Sequence, residues 1–165
     1  MPEFEFRDIR QSEAMEAAEI ERICFPVNEA DRPEIMLERI KTAPEGFLVA
    51  LDPEKGRIAG FLNGFSTKET SFRDEFFLDA GLYDPEGKQV MLFGLDVRPE
   101  YRGQGLASEL VRRYAEREKI KGRRRLILTC LEDKVDMYKH MGFCDNGTAD
   151  SSWGGESWHE MRLEL

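Results

Sequence analysis

The strongest constraint on the fold is a buried strand that leads through a glycine-bearing turn directly into a long helix. Val90–Val97 is apolar except at Gly94 and Asp96, which predicts a strand covered on both faces. Residues 104–119 carry apolar side chains at helical spacing and predict an amphipathic helix. A strand, turn and helix joined in this way are typical of layered α/β proteins.

The turn between the strand and the helix has the properties of a phosphate-binding site. Gly103 and Gly105 have no Cβ, so a ligand can approach the backbone closely. N–H groups at a helix start have no intrahelical acceptor, and together with the helix dipole they suit an anion. Arg102 adds a positive charge. Taken alone, the Gly-x-Gly pattern also fits an ordinary helix start, so both interpretations stay open at this point.

Two common phosphate-binding motifs do not fit this turn. A P-loop ends in Gly-Lys followed by Ser or Thr, whereas Gly105 is followed by Leu106 and Ala107. A dinucleotide fingerprint requires a third glycine where Ser108 stands, and no early strand–helix–strand unit surrounds it. The turn therefore belongs to neither class.

The other segments complete a mixed sheet with helices on both faces. The apolar runs 46–51 and 57–65 flank a turn signal and predict a hairpin, and residues 67–89 predict a long connection with one helical turn. This order of elements gives seven strands, and we expect one domain over residues 1–165. Further strands are predicted over 3–9, 125–130, 143–148 and 156–163, and further helices over 13–23, from Pro33 and over 134–141.

Composition and charge narrow the class of protein. Hydrophobic residues are 41% and charged residues 35% of the chain, which is the balance of a folded globular protein. The net charge of −9 favours cationic partners over nucleic acid, although residues 119–125 are basic. Three widely spaced cysteines and two histidines predict neither a metal site nor a disulfide framework. No apolar run could span a bilayer and residues 1–5 do not resemble a signal peptide, so we expect a cytoplasmic protein.

The turn and its flanks also carry a family resemblance. Arg102-x-x-Gly105-x-Ala107, after a strand and before a long helix, resembles the acetyl-CoA pyrophosphate loop of Gcn5-related (GNAT) N-acetyltransferases. The resemblance implies an α/β fold with a mixed, mostly antiparallel sheet of about seven strands, a bulge in the strand before the turn, and acetyl-CoA as co-substrate. Backbone N–H groups from Gly103 to Ser108 would hold the pyrophosphate, with Leu95 and Val97 along the pantetheine arm. The coenzyme-binding residues implied in this way are Leu95, Asp96, Val97, Arg102, Gly103, Gln104, Gly105, Leu106, Ala107 and Ser108.

Tyr138 is the candidate general acid. Transfer from a thioester needs a group that protonates the leaving thiolate, and a tyrosine with a pKa of about 10 can do so. Tyr138 and the Gly142-Phe143 pair resemble the family segment in which a tyrosine faces the coenzyme sulfur. Spacing alone favours another interpretation, an inward aromatic residue on an amphipathic helix.

The acceptor side resembles that of arylalkylamine N-acetyltransferases. Phe25 and Pro33 bracket residues 26–32 at the spacing of the substrate-flanking loop of that subfamily. The subfamily carries two histidines on its fourth strand, where Met91 and Phe93 stand in this chain. The resemblance implies an apolar slot lined by Phe25, Pro33, Met91 and Phe93, which suits an aryl or alkyl amine.

The proton route departs from that subfamily. Met91 and Phe93 cannot accept a proton, so a base must come from elsewhere or a water chain must suffice. Asp96 ranks last among the acidic residues, because strand side chains alternate and it should point away from the coenzyme face. The acidic candidates are Glu29, Asp31, Asp96 and Glu160.

The resulting hypothesis is an enzyme that transfers an acetyl group from acetyl-CoA to a small primary amine by direct attack. A protein N-terminus or a lysine is the alternative acceptor. A CoA-binding regulatory module without catalysis and a plain interaction domain are the alternatives of another class. We expect no metal, nucleic acid or membrane partner, and a homodimer is an open alternative.

Overall fold

One seven-stranded mixed sheet organises the computed structural model, which describes residues 3–165. Met1 and Pro2, two of the residues behind the prediction of no signal peptide, lie outside the described residues. The strands are β1 (Glu5–Asp8), β2 (Phe47–Asp52), β3 (Arg57–Thr67), β4 (Gln89–Val97), β5 (Arg125–Cys130), β6 (Cys144–Thr148) and β7 (His159–Glu164).

The sheet has the order β1-β2-β3-β4-β5-β7-β6. Neighbouring strands pair antiparallel except β4 and β5, which run parallel at the centre of the sheet. The last strand, β7, lies between β5 and β6, so β6 forms an edge. These findings confirm the predicted α/β fold with a mixed, mostly antiparallel sheet of seven strands.

Helices pack on both faces of the sheet. On one face, Ile20 and Met36 are buried against Phe61 of β3. On the other face, Leu110 is buried against Leu62 of β3. Burial of each such side chain contributes about 1.5–3 kcal/mol. No helix within residues 3–165 has the length and apolar content that crossing a bilayer requires. The helices are α1 (Ala14–Cys24), α2 (Pro33–Thr42), α3 (Glu75–Leu78), α4 (Leu106–Ile120) and α5 (Val135–His140).

β4 contains a bulge at Phe93. Its register against β3 shifts by one residue between Asn63 and Gly64, which leaves Phe93 without a partner on β3. Because the extra residue interrupts the alternation of side chains, Phe93 and the residue after it share one face. Beyond the bulge, Leu95 packs on the α4 face and Asp96 is buried on the α1 face. The bulge that the family resemblance implies is therefore confirmed.

An aromatic cluster orders the long connection between β3 and β4. Phe72 and Phe77 of the connection pack against Phe65 of β3 and Phe93 of the bulge. The ring centroids of Phe65 and Phe93 are 5.0 Å apart, and those of Phe77 and Phe93 are 5.8 Å apart. The four-residue helix α3 is the single helical turn predicted for this connection. The cluster therefore fixes the bulge from the side opposite α4.

Candidate active site

β4 and β5 diverge and leave a wedge at the centre of the sheet. Their parallel pairing joins Gln89–Met91 to Arg125–Ile127, and no further pair follows within residues 3–165. β4 nevertheless continues to Val97 and β5 to Cys130. The glycine-bearing turn follows β4, and Tyr138 lies just after β5, so both are at the open end of the wedge.

The turn presents a row of unpaired backbone donors. Gly103 and Gly105 have φ angles of +77° and +80°, a left-handed conformation that favours glycine. The first backbone bond of α4 runs from the Glu109 N–H to the Gly105 carbonyl. Within the described part of the chain, the N–H groups of residues 103–108 have no acceptor. A Cβ added at either glycine would meet nothing within 4 Å, so the space in front of the turn is open.

Arg102 is positioned next to this row of donors. Its guanidinium donates to the Val97 carbonyl at 3.1 Å, and its Nη2 lies 3.6 Å from the Cys24 Sγ. The side chain is exposed at the surface. Burial raises the pKa of Cys24 although Arg102 acts in the opposite direction, so the thiol is neutral at pH 7. Arg102 thus keeps its positive charge available at the mouth of the wedge.

The predicted coenzyme residues fall into two groups. Arg102, Gly103, Gly105 and Ser108 are exposed, and Leu95, Val97, Gln104 and Ala107 are half-buried. Two residues cannot offer a side chain to a ligand in the wedge. Leu106 is buried in the core under α4, and Asp96 has no exposed surface on the opposite face. Only the main chain of these two residues faces the wedge, which agrees with the expectation that Asp96 points away from the coenzyme face.

Tyr138 differs from the other three tyrosines of the chain. The hydroxyl groups of Tyr83, Tyr101 and Tyr114 all have hydrogen-bond partners, whereas that of Tyr138 has none within residues 3–165. The Tyr138 side chain is half-buried, and its ring packs edge-to-face on Phe143 with centroids 5.6 Å apart. Its hydroxyl is therefore available to a ligand.

The pKa of Tyr138 is raised, first by burial and then by the charges of Cys130 and Asp96. These two residues stand near the ends of β5 and β4, so Tyr138 lies close enough to the open end of the wedge for both charges to act on it. The tyrosine is protonated at neutral pH. Because its pKa lies above that of a free tyrosine, it gives up its proton to a thiolate less readily than a free tyrosine does.

The four predicted acceptor residues differ in burial. Met91 and Phe93 share the aromatic cluster, but Met91 is fully buried and belongs to the core. Phe93 is half-buried and keeps exposed surface. Phe25 is half-buried and Pro33 is exposed, and neither belongs to a buried cluster. The phenylalanines of the cluster cover Met91, so its side chain offers no exposed surface to an acceptor in this structure.

Two loops meet over the acceptor side. The Trp153 indole N–H donates to the Glu29 carbonyl at 2.9 Å, and the Asn28 amide donates to the Gly154 carbonyl at 3.0 Å. The Trp153 ring also stacks on Phe77 at 4.6 Å. These contacts join the loop of residues 26–32 to the loop of residues 149–158. We call this pair of joined loops the acceptor strap.

Beneath the acceptor strap lies a cluster of buried polar side chains. Arg39 forms an ion pair with Asp31 at 2.8 Å and donates to Asn63 Oδ1 at 3.1 Å, and its guanidinium lies 4.2 Å from the Phe93 ring centroid. Glu21 accepts from the Asp31 N–H at 2.9 Å, and Asp96 lies beside Glu21. Glu21 was absent from the predicted site residues. Its place on the alanine-lined face of α1 was the signal that could have identified it.

The other two acidic candidates for the base, Glu160 and Glu29, have different surroundings. Glu160 is buried, accepts from the Phe72 N–H at 2.8 Å and pairs with Arg162 at 2.9 Å. Glu29 is half-buried in the acceptor strap, and its pKa is raised by burial and by the charges of Glu156 and Asp133. No group of three potential metal ligands among His, Cys, Asp and Glu is arranged around an ion within residues 3–165.

The fold and the wedge together define the class of this protein. The mixed sheet splits between its two parallel central strands, and a glycine-bearing helix start stands at the split. A family model described as "Acetyltransferase (GNAT) family" matches residues 14–143. The chain belongs to this family.

The curated relatives match a shorter part of the chain. A thialysine N-epsilon-acetyltransferase from Sus scrofa is 36% identical over 81 residues, which are 47% of this chain and 44% of that protein. The enzyme of the same name from Bos taurus is 35% identical over 82 residues. The matched segment thus spans less than half of these relatives. Thialysine is an amino acid and not the aryl amine that the sequence resemblance implies.

Solved structures match over nearly the whole chain. A GNAT-like decarboxylase, GphF, in complex with isobutyryl-CoA has a TM-score of 0.80 at 19% identity and covers 97% of this chain and 98% of its own. Ard1 from Thermoplasma volcanium has a TM-score of 0.75 at 16% identity, with 98% and 97% covered. At these identities the similarity establishes the fold alone.

Proposed function

We propose that the chain is an acetyl-CoA-dependent N-acetyltransferase whose acceptor is a small primary amine with an apolar body. In this proposal the N–H groups of residues 103–108 and the Arg102 guanidinium bind the pyrophosphate, and Leu95 and Val97 flank the pantetheine arm. The row of unpaired N–H groups at the mouth of the wedge carries the proposal. Such a row at a helix start binds phosphate oxygens without any rearrangement.

The wedge would bring the thioester to the end of the sheet where Tyr138 lies. The acetyl-CoA co-substrate supplies the acetyl thioester. Main-chain groups near Leu95 polarise its carbonyl, the amine nitrogen bonds to the carbonyl carbon, and the carbon–sulfur bond breaks. Tyr138 donates its proton to the leaving sulfur. The free hydroxyl and neutral state of this tyrosine support that role.

The charge and polarity of the acceptor side favour an amine without a carboxylate. Phe93, Phe77 and Trp153 provide apolar surface near the bulge. Burial raises the pKa of Glu29, and the charges of Glu156 and Asp133 add to this effect, so three carboxyl groups lie near the rim of the acceptor strap. An acidic rim attracts a protonated amine and repels an amino-acid carboxylate. This argument ranks an arylalkyl amine above thialysine.

An acceptor panel tests the proposal. Purified protein with acetyl-CoA would be assayed for thiol release with tryptamine, spermidine, thialysine, lysine and a short peptide with a free N-terminus. We expect the largest kcat/KM for tryptamine. A larger value for thialysine or for the peptide would contradict the proposed acceptor and leave the chemistry intact. Absence of heat in a calorimetric titration with CoA would contradict the coenzyme site itself.

Tyr138→Phe tests the general acid. Loss of a positioned proton donor should lower kcat by about 10²–10⁴-fold, while the Kd for CoA stays unchanged. Tyr83→Phe is a matched control, because Tyr83 donates its hydroxyl proton to Glu45 away from the wedge. Equal kcat for Tyr138→Phe and wild type would exclude this role.

The same assays distinguish two alternatives, a CoA-binding module without catalysis and a decarboxylase. A regulatory module that has lost catalysis would bind CoA and transfer acetyl to none of the amines. Because a solved structure of this fold is a GNAT-like decarboxylase, loss of carbon dioxide from malonyl-CoA would be measured in parallel. Carbon dioxide release without acyl transfer would replace the proposed reaction.

A further inference from the structure

Glu21 and Asp96 form a buried carboxyl pair that the chemistry described above does not use. Asp96 has no exposed surface, and Glu21 is 3% exposed. Neither oxygen of Asp96 has an ordinary donor, and neither does Oε1 of Glu21. Two ionised carboxylates cannot lie side by side without donors in a buried site. The pair is stable only if one proton lies between them, donated by one carboxyl to the other.

The carboxyl pair adjoins the bulge of β4 at Gly94. A Cβ added to Gly94 would lie 2.9 Å from Asp96 Oδ1, 3.1 Å from Asn63 Nδ2 and 3.3 Å from Glu21 Oε1. These three polar atoms therefore meet above Gly94, where the strand has no side chain to separate them. Phe93, the preceding residue on the same face, keeps exposed surface toward the acceptor side. The pair is thus one residue along the strand from a side chain with exposed surface.

The surroundings of the pair set its proton affinity. Burial raises the pKa of Asp96 well above its ordinary value, and the charge of Glu21, the hydrogen bond to it and the charges of Cys24 and Asp31 act in the same direction. Burial also raises the pKa of Glu21, and the charge of Asp31 adds to this, whereas the hydrogen bonds with Asp96 and the Asp31 N–H and the charge of Arg39 oppose it. A carboxyl pair that shares one proton still has oxygens that can accept a second one, and the raised pKa of each member favours that uptake.

We propose that Glu21 and Asp96 together accept the proton of the acceptor ammonium, in place of the histidines that Met91 and Phe93 replace. The inference rests on the proposed acetyl transfer. The ammonium gives one proton to the pair, and the neutral nitrogen then forms the carbon–nitrogen bond as the carbon–sulfur bond breaks. Tyr138 protonates the sulfur, and the second proton that leaves the nitrogen restores Tyr138. The pair returns its extra proton to solvent, so each turnover releases one proton.

The Glu21–Asp96 pair differs from the other acids near the site in its free oxygens. Asp31 and Glu160 are fixed by ion pairs to Arg39 and Arg162. Glu29 stands in the acceptor strap, where its carbonyl accepts from Trp153. The Glu21–Asp96 pair is the acidic group with unpaired oxygens that face the bulge. Its function requires both members, because either one alone lacks the shared proton.

The test compares wild type with Glu21→Gln and Asp96→Asn, two substitutions that preserve volume. Glu19→Gln is the matched control, since Glu19 is exposed on the same helix two residues earlier. The pH profile of kcat/KM would be measured with tryptamine and with spermidine, together with the Kd for CoA. An infrared spectrum at neutral pH would record the carbonyl stretch of a protonated buried carboxyl, which needs no turnover.

We expect the acid limb of the wild-type profile to vanish in both variants, with kcat/KM lower by about 10²–10⁴-fold and the Kd for CoA unchanged. Glu19→Gln should behave as wild type, and the infrared band should be absent from Asp96→Asn. Variants that keep the wild-type profile while wild type transfers acetyl would overturn this inference alone. Wild type that binds CoA but acetylates neither amine would overturn the proposed function and the inference with it.

Discussion

Gly105 has two properties that one substitution can test: it adopts a left-handed backbone conformation, and it leaves space for a ligand in front of the turn. It precedes α4 with a φ of +80°, and a Cβ at this position would point into open space. Gly105→Ala should lower the free energy of unfolding by about 1–2 kcal/mol, because a left-handed conformation is unfavourable for alanine. It should also raise the Kd for CoA at least tenfold, because the methyl group occupies space in front of the N–H row. Chemical denaturation and calorimetry measure the two effects.

Gly56 provides the matched control for this substitution. It lies in the turn between β2 and β3 with a φ of +63°, and a Cβ there also meets nothing within 4 Å. Gly56→Ala should therefore cost similar stability and leave the Kd for CoA unchanged. Equal CoA affinities of the two variants would contradict a coenzyme site at the turn.

Single functional residues could be predicted from the sequence where they belong to a short sequence pattern. Gly103, Gly105 and Tyr138 were identifiable because glycines at a helix start and a tyrosine near Gly-Phe form short patterns. Glu21 was not identifiable in this way, because an acidic residue on an amphipathic helix is normally at the surface. Its alanine-lined face predicts burial, but its partner Asp96 is 75 positions away in the chain and is brought close only by the packing of α1 on β4.

Among the structural elements, the acceptor strap is the one with a measurable effect on substrate binding. Trp153 holds its two loops together through the bond to the Glu29 carbonyl and the stack on Phe77. Trp153→Ala should raise the KM for the amine about tenfold or more with little change in kcat. This pattern is expected when the lost contact stabilises the bound substrate and the transition state equally. The Kd for CoA should not change, because the contacts of the Trp153 side chain are with Glu29 and Phe77 and not with the turn at residues 102–108.

Trp153→Phe separates the two contributions of this side chain. Phenylalanine keeps an aromatic ring against Phe77 but cannot donate to the Glu29 carbonyl. Loss of one hydrogen bond is worth about 1 kcal/mol, so KM should rise about fivefold, less than in Trp153→Ala. A KM unaffected by either substitution would show that the acceptor does not bind beneath the strap.

The first and last residues of most helices and strands were predicted within a few positions, because hydrophobic periodicity and turn residues can be seen within each segment. β5 was predicted over 125–130 and is observed at Arg125–Cys130, and α4 was predicted over 104–119 and begins two residues later at Leu106. The strand predicted over 156–163 begins only at His159, because a loop with two glycines precedes it. The divergence of β4 and β5 could not be predicted from either strand alone, since pairing is a property of both.

For the whole molecule, strand order determines where the site forms. β7, the last strand of the chain, inserts between β5 and β6, so β5 has an antiparallel partner on its outer side. β4 is likewise held by β3 along its length. The two parallel strands can therefore separate at their ends without losing their other neighbours, and the wedge stays open in a well-packed core. No local pattern reveals this order, because it depends on a connection between distant segments.

The carboxyl pair should also be visible in the stability of the whole fold. Asp96 has a raised pKa in the folded chain, so the folded state retains a proton that the unfolded chain releases above a pKa of about 3.9. Its stabilising effect is thus complete below about pH 4 and is lost as the pH rises toward the folded pKa. The difference in free energy of unfolding between wild type and Asp96→Asn should fall with rising pH, by at most about 1.4 kcal/mol per unit. Urea unfolding at pH 4 to 8, with Glu19→Gln as the control, measures it. A difference that is constant across this range would mean that Asp96 is ionised in the fold.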